Sequence, residues 1–446
     1  MSRSNEDDSL YLHAELLPNI RQITLYVSLP HALTSVQPTI QLSESRKAVT
    51  VSLPEPFQDV VETIKLPARV SDGSRRALTT NPKPTIMHNP FQPNGPSHDY
   101  SFRMLIDAKE TALAPRDEIM DDYVPWTAAD MSPSTRIRCR SCDTTFLNPE
   151  IGLNIPEKEN KAPKIWAWKD LPSGNWAEMM DFWHCHKPDP HEGDAKSEAT
   201  AALKIEEQNA EVKGYGASSR VEAIPGTILI DTATFLLTTS DCVGLKKSDQ
   251  EENKSSAKPS ELRTLECIKC NNMIGMEDAS ANGWRLLKAN VSLNTNSTPD
   301  TENEWQSHPE ETIVAAQLLE LIERESARRF VVHCGQKYGL LLWVFNPDLR
   351  YSNSSSGCSI NAQQAMKVYY QAIDDVEKLL NPEIGKASPL SVEELELPSS
   401  TMTSLSTSLQ RSNDMLPLSA KRFNEWQVGL LSRFSREQAN SISNAV

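Results

Sequence analysis

Two Cys-x-x-Cys pairs, Cys139/Cys142 in RCRSCD and Cys267/Cys270 in ECIKCN, are the residues of this sequence best suited to chemistry. Each pair sits where a β-type run turns, a setting that lets two thiolates converge on one ion. A closed structural zinc site needs four such ligands in a tetrahedron, and two pairs supply them. A redox Cys-x-x-Cys opens a helix after a strand, and neither pair has that setting. Four unligated thiols are the bland alternative. The pairs lie much farther apart than in a compact zinc ribbon, so a shared ion staples sequence-distant strands and puts residues 139–270 in one folded unit. We therefore expect one structural zinc on Cys139, Cys142, Cys267 and Cys270.

A fifth cysteine is set differently. In WAEMMDFWHCHKPDPHE (176–192), Cys185 lies between His184 and His186 at the end of a helix-like stretch. Sequence neighbours do not share a helix face. Pro188 and Pro190, however, forbid further helix, and a chain turning there can bring the imidazoles close enough to lower the thiol pKa. Residue types leave three readings open. Cys185 is a transthiolation nucleophile, a soft ligand offered to a metal in a partner, or a half-buried thiol beside Trp176 and Trp183. Cys242, Cys334 and Cys358 lack such company, and His333 is expected on the opposite strand face from Cys334. No phosphate loop, dinucleotide fingerprint, nucleophile elbow or His-Glu-x-x-His occurs.

The elements that must position these residues are mostly β-type. Residues 9–108 alternate short β runs (LYLHAELL, QITLYVSL, AVTVSL, YSFRMLI) with turn residues, which predicts an antiparallel sandwich or open barrel. TRIRCRSC (135–142), GTILIDTATFLLTT (226–239) and GWRLLKANVSL (283–293) read as further strands, the second as one strand or a pair. Polar stretches at 187–222, 244–261 and 294–310 read as inserts without regular structure. Farther on, 311–327 reads as an amphipathic helix, RRFVVHC and YGLLLWVFNPD as strands, 361–380 as a second helix and 420–434 as a last one, after a Ser/Thr-rich linker at 386–412. The fold class is α+β: an N-terminal antiparallel β region (1–132), a zinc-stapled β-rich middle (133–293) and a mixed α/β C-terminal part (311–446).

Composition bounds the partners. A net charge of −15 argues against a surface that tracks nucleic-acid phosphates or docks on an anionic membrane. The longest apolar run, YGLLLWVF, is too short to span a bilayer, and the first residues carry acids where a secretory signal carries bases. A soluble intracellular protein with reduced thiols is expected.

The order CRSC, DLPSGNWAEMMDFWHCHKPDPH, GTILIDTATFLL, CIKCNNMIG, GLLLWVFNPD, AMKVYY, KRFNEWQVGLL resembles the HECT-like ubiquitin-conjugating-enzyme-binding protein family, over roughly residues 135–432. Leu-Pro-Ser-x-x-Trp and Trp-x-Cys-His carry the resemblance most specifically. It implies a ubiquitin-protein ligase that binds a ubiquitin-conjugating enzyme and accepts ubiquitin as a thioester. The conjugating-enzyme-binding segment then falls on 171–191, with Leu171, Pro172, Trp176, Trp183, Cys185 and His186, and Cys185 and His186 become the catalytic pair. The chain departs from the family pattern at His184, where the family has cysteine, which leaves Cys185 as the thiol of the motif. The resemblance also implies a link to nuclear mRNA 3′-end processing. In that role the chain is a non-catalytic assembly factor or inhibitor of the processing endonuclease: Cys185 faces the partner's zinc, and the stretch before the 311–325 helix helps plug the site. Cytoplasm and nucleus are the compartments it implies.

Overall fold

In a computed structural model of the 446-residue chain, the structure describes residues 10–30, 36–80, 85–87, 99–109, 123–149, 165–171, 221–248, 263–295, 304–355, 361–381 and 392–436. Strands dominate, with four helices among the described residues, a β-rich α+β architecture. The chain divides into two compact units, Met1–Ile119 with Glu325–Val446, and Met120–Arg324.

The first unit joins the two ends of the chain. The strand Gly339–Asn353, fifteen residues long, is its spine. One half pairs with Arg329–His333 and the other with Tyr11–Leu17, while Gln363–Ile373 runs antiparallel along it. Trp426–Ser432, Arg422–Phe423, Gln22–Ser28, Asp99–Leu105 and Thr85–Met87 extend this into a ten-stranded sheet that also includes Glu393–Glu396. The sequence places residues 1–132 and 311–446 in separate regions; the register His13↔Asn353 to Leu16↔Arg350 joins them in one sheet. Pro347, with no N–H to give a ladder, sits where the register between Gly339–Asn353 and Gln363–Ile373 slips, between Asn346 and Leu349.

Alternation sets the faces of Tyr11–Leu17. Leu12, Ala14 and Leu16 enter a core with Ile23, Leu25, Val27, Phe102 and Met104, closed by Val49, Val51 and Ile64 of a separate sheet (Thr39–Leu42, Ala48–Ser52, Val61–Lys65). The expected sandwich is present here. His13 and Glu15 point to the other face and are also buried. Glu15 accepts from Lys367 Nζ at 2.7 and 2.9 Å and lies 3.2 Å from His13 Nε2.

Three expected elements take other forms. Residues 363–373 are a strand and not the middle of a helix: Ala365 to Tyr370 are buried without interruption. A strand buried on both faces reads as a continuous apolar run, and Val368, Tyr369 and Tyr370 favour β structure. Only Val376–Leu380 is helical, with the Asp375 carboxylate accepting from Lys378 N. The described part of the Ser/Thr-rich 386–412 stretch holds the strand Glu393–Glu396 and most of the helix Ser399–Met415. Its hydroxyls bond back to the helix, as in Thr403 to Ser399 O and Thr407 to Thr403 O, and Leu405 and Leu409 are buried. Residues 420–434 form the hairpin Arg422–Phe423/Trp426–Ser432, turned at Asn424 with φ 53°. The 311–327 helix is present as Glu310–Glu325.

In the second unit, a seven-stranded sheet runs Ala167–Asp170, Thr227–Ile230, Thr234–Leu237, Gly283–Leu287, Met273–Asp278, Thr264–Cys267, Leu245–Lys247, antiparallel except for its first pair. A three-stranded sheet (Val291–Asn294, Arg136–Cys139, Thr145–Leu147) shares its core through Ile137, Phe146, Ile230, Phe235, Leu265, Leu286 and Val291. The single strand expected over 283–293 is therefore two strands in different sheets. Leu245–Lys247, expected to be insert, is a strand paired with Thr264–Cys267.

Glu15 yields a test. Burial alone would raise its carboxyl, but Lys367 and His13 outweigh burial and hold it down at about 2, below its ordinary 4.5. A depressed carboxyl stabilises the fold fully above its unfolded value and loses that contribution as pH falls through the folded one. Glu15→Gln is expected to cost on the order of 3 kcal/mol near neutral pH by leaving Lys367 buried without its counter-charge. In chemical denaturation, the gap between wild type and variant should close as pH falls from 4.5 towards 2.

A four-cysteine candidate metal centre

The two Cys-x-x-Cys segments fold as two copies of one turn. Cys139 ends the strand Arg136–Cys139, and Cys267 ends Thr264–Cys267. In the first, Cys139 N donates to Thr144 O and Asp143 N to Cys139 O; in the second, Cys267 N donates to Asn272 O and Asn271 N to Cys267 O. Asp143 and Asn271 occupy equivalent positions with φ 60° and 57°. Asp and Asn are the non-glycine types that best tolerate this left-handed backbone, so the residue after each pair is a local signal visible in the sequence. Asn272 Nδ2 donates to Ser141 Oγ at 2.8 Å and links the knuckles directly.

The turns face each other, and the four sulfurs lie within 4.8 Å of one another. Cys142 Sγ is 3.5 Å from Cys267 Sγ, its partner 125 positions away in sequence, and Cys139 Sγ is 3.7 Å from Cys270 Sγ. A tetrahedral site with metal–sulfur bonds of about 2.3 Å has edges of about 3.8 Å, so the cage fits a four-thiolate metal ion. All four are free thiols; Cys139 and Cys267 are buried, Cys142 and Cys270 half-buried. Burial pushes the Cys139 thiol up to about 12 and also raises Cys270, while the hydroxyl of Thr144, 3.2 Å from Cys142 Sγ, holds Cys142 down to about 6. Protons still on the cage must leave when an ion enters, so uptake weakens at low pH.

The stretch before the helix Glu310–Glu325 packs on the first knuckle. The Arg138 guanidinium lies 4.1 Å over the Trp305 ring, Gln306 exchanges two backbone bonds with Leu293, and Arg140 donates to the carbonyls of Ala289 and His308. The His308 ring meets Trp126 edge-on at 4.6 Å, and burial with Lys288 and Arg140 nearby pushes it down to about 4. Lys288, fully buried where the chain crosses between the two sheets, donates to Pro125 O and is pushed down by burial to about 8. Neither Lys288 nor this strap stands out in the sequence, because lone basic and aromatic residues carry no spacing.

Of the residues expected to bind a partner, Leu171 is described. It is half-buried, donates its N–H to Ile230 O, and packs with Val221 and Ala223 on Leu229, Leu236 and Ala281. Residues 171 and 221, the two ends of the intervening segment, are thus fixed in one small apolar cluster. Gly283 permits this: a Cβ there would come within 2.6 Å of Ala223 Cβ. Pro172, Trp176, Trp183, His184, Cys185 and His186 lie outside the described residues, as does Cys358. Cys242 is buried, and His333 pairs with Glu394 at 2.7 Å, so neither joins the cysteine cage.

Comparison with known proteins places the chain. An uncharacterized protein of Schizosaccharomyces pombe is 26% identical over 330 residues, covering 72% of this chain and 80% of its own. Another from Saccharomyces cerevisiae is 24% identical over 281 residues, covering 63% and 67%. A mouse protein named as an E3 ubiquitin-protein ligase is 29% identical over 281 residues, 58% of this chain and 64% of the mouse protein. No solved structure matches. The family profile described as HECT-like ubiquitin-conjugating enzyme (E2)-binding matches residues 15–428, nearly the whole chain and both units. The chain belongs to the HECT-like ubiquitin-conjugating enzyme (E2)-binding family.

Proposed function

We propose that this protein is a ubiquitin-protein ligase that binds a ubiquitin-conjugating enzyme through 171–191 and accepts ubiquitin on Cys185. The family match over residues 15–428 carries this reading. It is supported by the name of the mouse relative and by the anchoring of residues 171 and 221 in one cluster, which holds both ends of the segment on a sheet. The Cys185 thiolate attacks the carbonyl carbon of the thioester that links ubiquitin to the conjugating enzyme. That enzyme's thiolate leaves, and a substrate amine later displaces Cys185 to form the amide. His186 lowers the thiol pKa and keeps the attacking sulfur ionised. Leu171, Pro172, Trp176 and Trp183 supply the apolar contacts to the conjugating enzyme.

The ion in the cage is zinc in this reading. Four thiolates and no open position suit a closed tetrahedral zinc site, whose role is structural. Zinc would tie the end of Arg136–Cys139 to the end of Thr264–Cys267 and so lock the sheet whose far edge holds Leu171.

Two experiments test this. A non-reducing gel of the purified protein with ubiquitin-charged conjugating enzymes should show a thiol-sensitive ubiquitin adduct that disappears in Cys185→Ser. If no conjugating enzyme yields an adduct, the acceptor role is lost, and a role in binding without transfer replaces it. Elemental analysis should find one zinc per chain; Cys142→Ser should lose the ion and the cooperative unfolding of residues 120–324, because structural zinc contributes folding free energy of about 10 kcal/mol or more in small domains. A zinc-free, fully folded wild type would contradict the structural-zinc assignment.

A further inference from the structure

The four sulfurs do not form two self-contained pairs. The contacts at 3.5 Å (Cys142 to Cys267) and 3.7 Å (Cys139 to Cys270) each join one knuckle to the other. Each also joins a half-buried thiol to a buried one, Cys142 to Cys267 and Cys270 to Cys139. A small oxidant meets the accessible sulfur first, and the sulfenic acid formed there condenses with a thiol within reach. We propose that the cage is a site of reversible oxidation by hydrogen peroxide, yielding two cross-knuckle disulfides, Cys142–Cys267 and Cys139–Cys270.

The Cys142 thiolate attacks one peroxide oxygen. The O–O bond breaks, hydroxide leaves and takes a proton to become water, and the sulfur keeps an OH. The Cys267 thiolate then attacks that sulfur; the S–O bond breaks, and the second hydroxide leaves as water after protonation. Two thiolates lose two electrons, one peroxide gains them, and two protons are consumed. Cys270 and Cys139 repeat the sequence with a second peroxide. The ligands are used up, so an ion held by them is released, yet the new bonds still tie Arg136–Cys139 to Thr264–Cys267. A dithiol reductant reverses both bonds by thiol–disulfide exchange. Disulfides within each knuckle would leave the two strand ends unconnected.

The pairing rests on the sulfur geometry, and the release of an ion rests on the zinc reading above. The full chain, purified reduced and desalted without oxygen, is titrated with hydrogen peroxide while a chromophoric chelator reads free zinc. Mass spectrometry of a non-reduced digest maps the disulfides. Zinc should appear at about two peroxides per ion, with peptides cross-linked 142 to 267 and 139 to 270, and dithiothreitol with added zinc should restore the starting state. Disulfides joining 139 to 142 or 267 to 270 overturn the proposal, as does zinc loss with sulfinic acids and no disulfide. A zinc-free preparation defeats the zinc reading alone, because the disulfide map still decides the pairing.

Discussion

Two strand ends from two different sheets meet at four sulfur atoms, and the architecture of residues 120–324 turns on that meeting. The sulfurs approach to 3.5 and 3.7 Å because each Cys-x-x-Cys segment closes the same hydrogen-bonded turn, with Asp143 or Asn271 in the left-handed conformation. The core supplies the rest of the convergence. Gly283–Leu287 belongs to the larger sheet and Val291–Asn294 to the smaller, so one stretch of chain crosses between them beside both knuckles. Lys288 sits at the crossing, fully buried, with its ammonium on the Pro125 carbonyl and 5.5 Å from the Phe235 ring. A buried charge is tolerated only where such partners are fixed, so the crossing is held to one geometry.

The cage and the Leu171 anchor sit far apart on one sheet. In the order of the seven-stranded sheet, Thr264–Cys267 is the sixth strand and Ala167–Asp170 the first. At roughly 4.8 Å per strand, the sulfurs and Leu171 are separated by about 24 Å. Nothing in the cage touches Leu171; the two are connected through the strands of the sheet on which Leu171, Val221 and Ala223 are anchored. Close backbone approach adds to that stiffness. A Cβ at Gly275 would lie 2.0 Å from the Arg285 carbonyl oxygen, so the central strands admit nothing larger there.

The other unit depends on a different constraint. Its long strand Gly339–Asn353 accepts partners from both ends of the chain. On the same sheet a buried carboxylate, ammonium and imidazole, Glu15, Lys367 and His13, are brought together from residues more than 350 positions apart. Such a cluster is costly to bury unless paired, and the Lys367–Glu15 pair supplies that pairing between Tyr11–Leu17 and Gln363–Ile373.

The sequence by itself determined the features that depend on local spacing. Two Cys-x-x-Cys turns, each followed by Asp or Asn, specify the knuckles; alternation specifies Tyr11–Leu17, a short β-branched apolar run specifies Thr227–Ile230, and period-3.6 apolarity specifies Glu310–Glu325. Tertiary structure alone decided what spacing leaves ambiguous. Residues 363–373 are a strand because both faces are covered, and a doubly buried run looks the same as a buried helix in one dimension. The Ser/Thr-rich stretch became the helix Ser399–Met415 because Leu405 and Leu409 found a surface to bury against, and tertiary contacts override weak propensity. The pairing of N- and C-terminal strands, the crossing at Lys288 and the meeting of the two knuckles are all long-range contacts. Such contacts are set by the burial of surfaces that no short window of sequence contains.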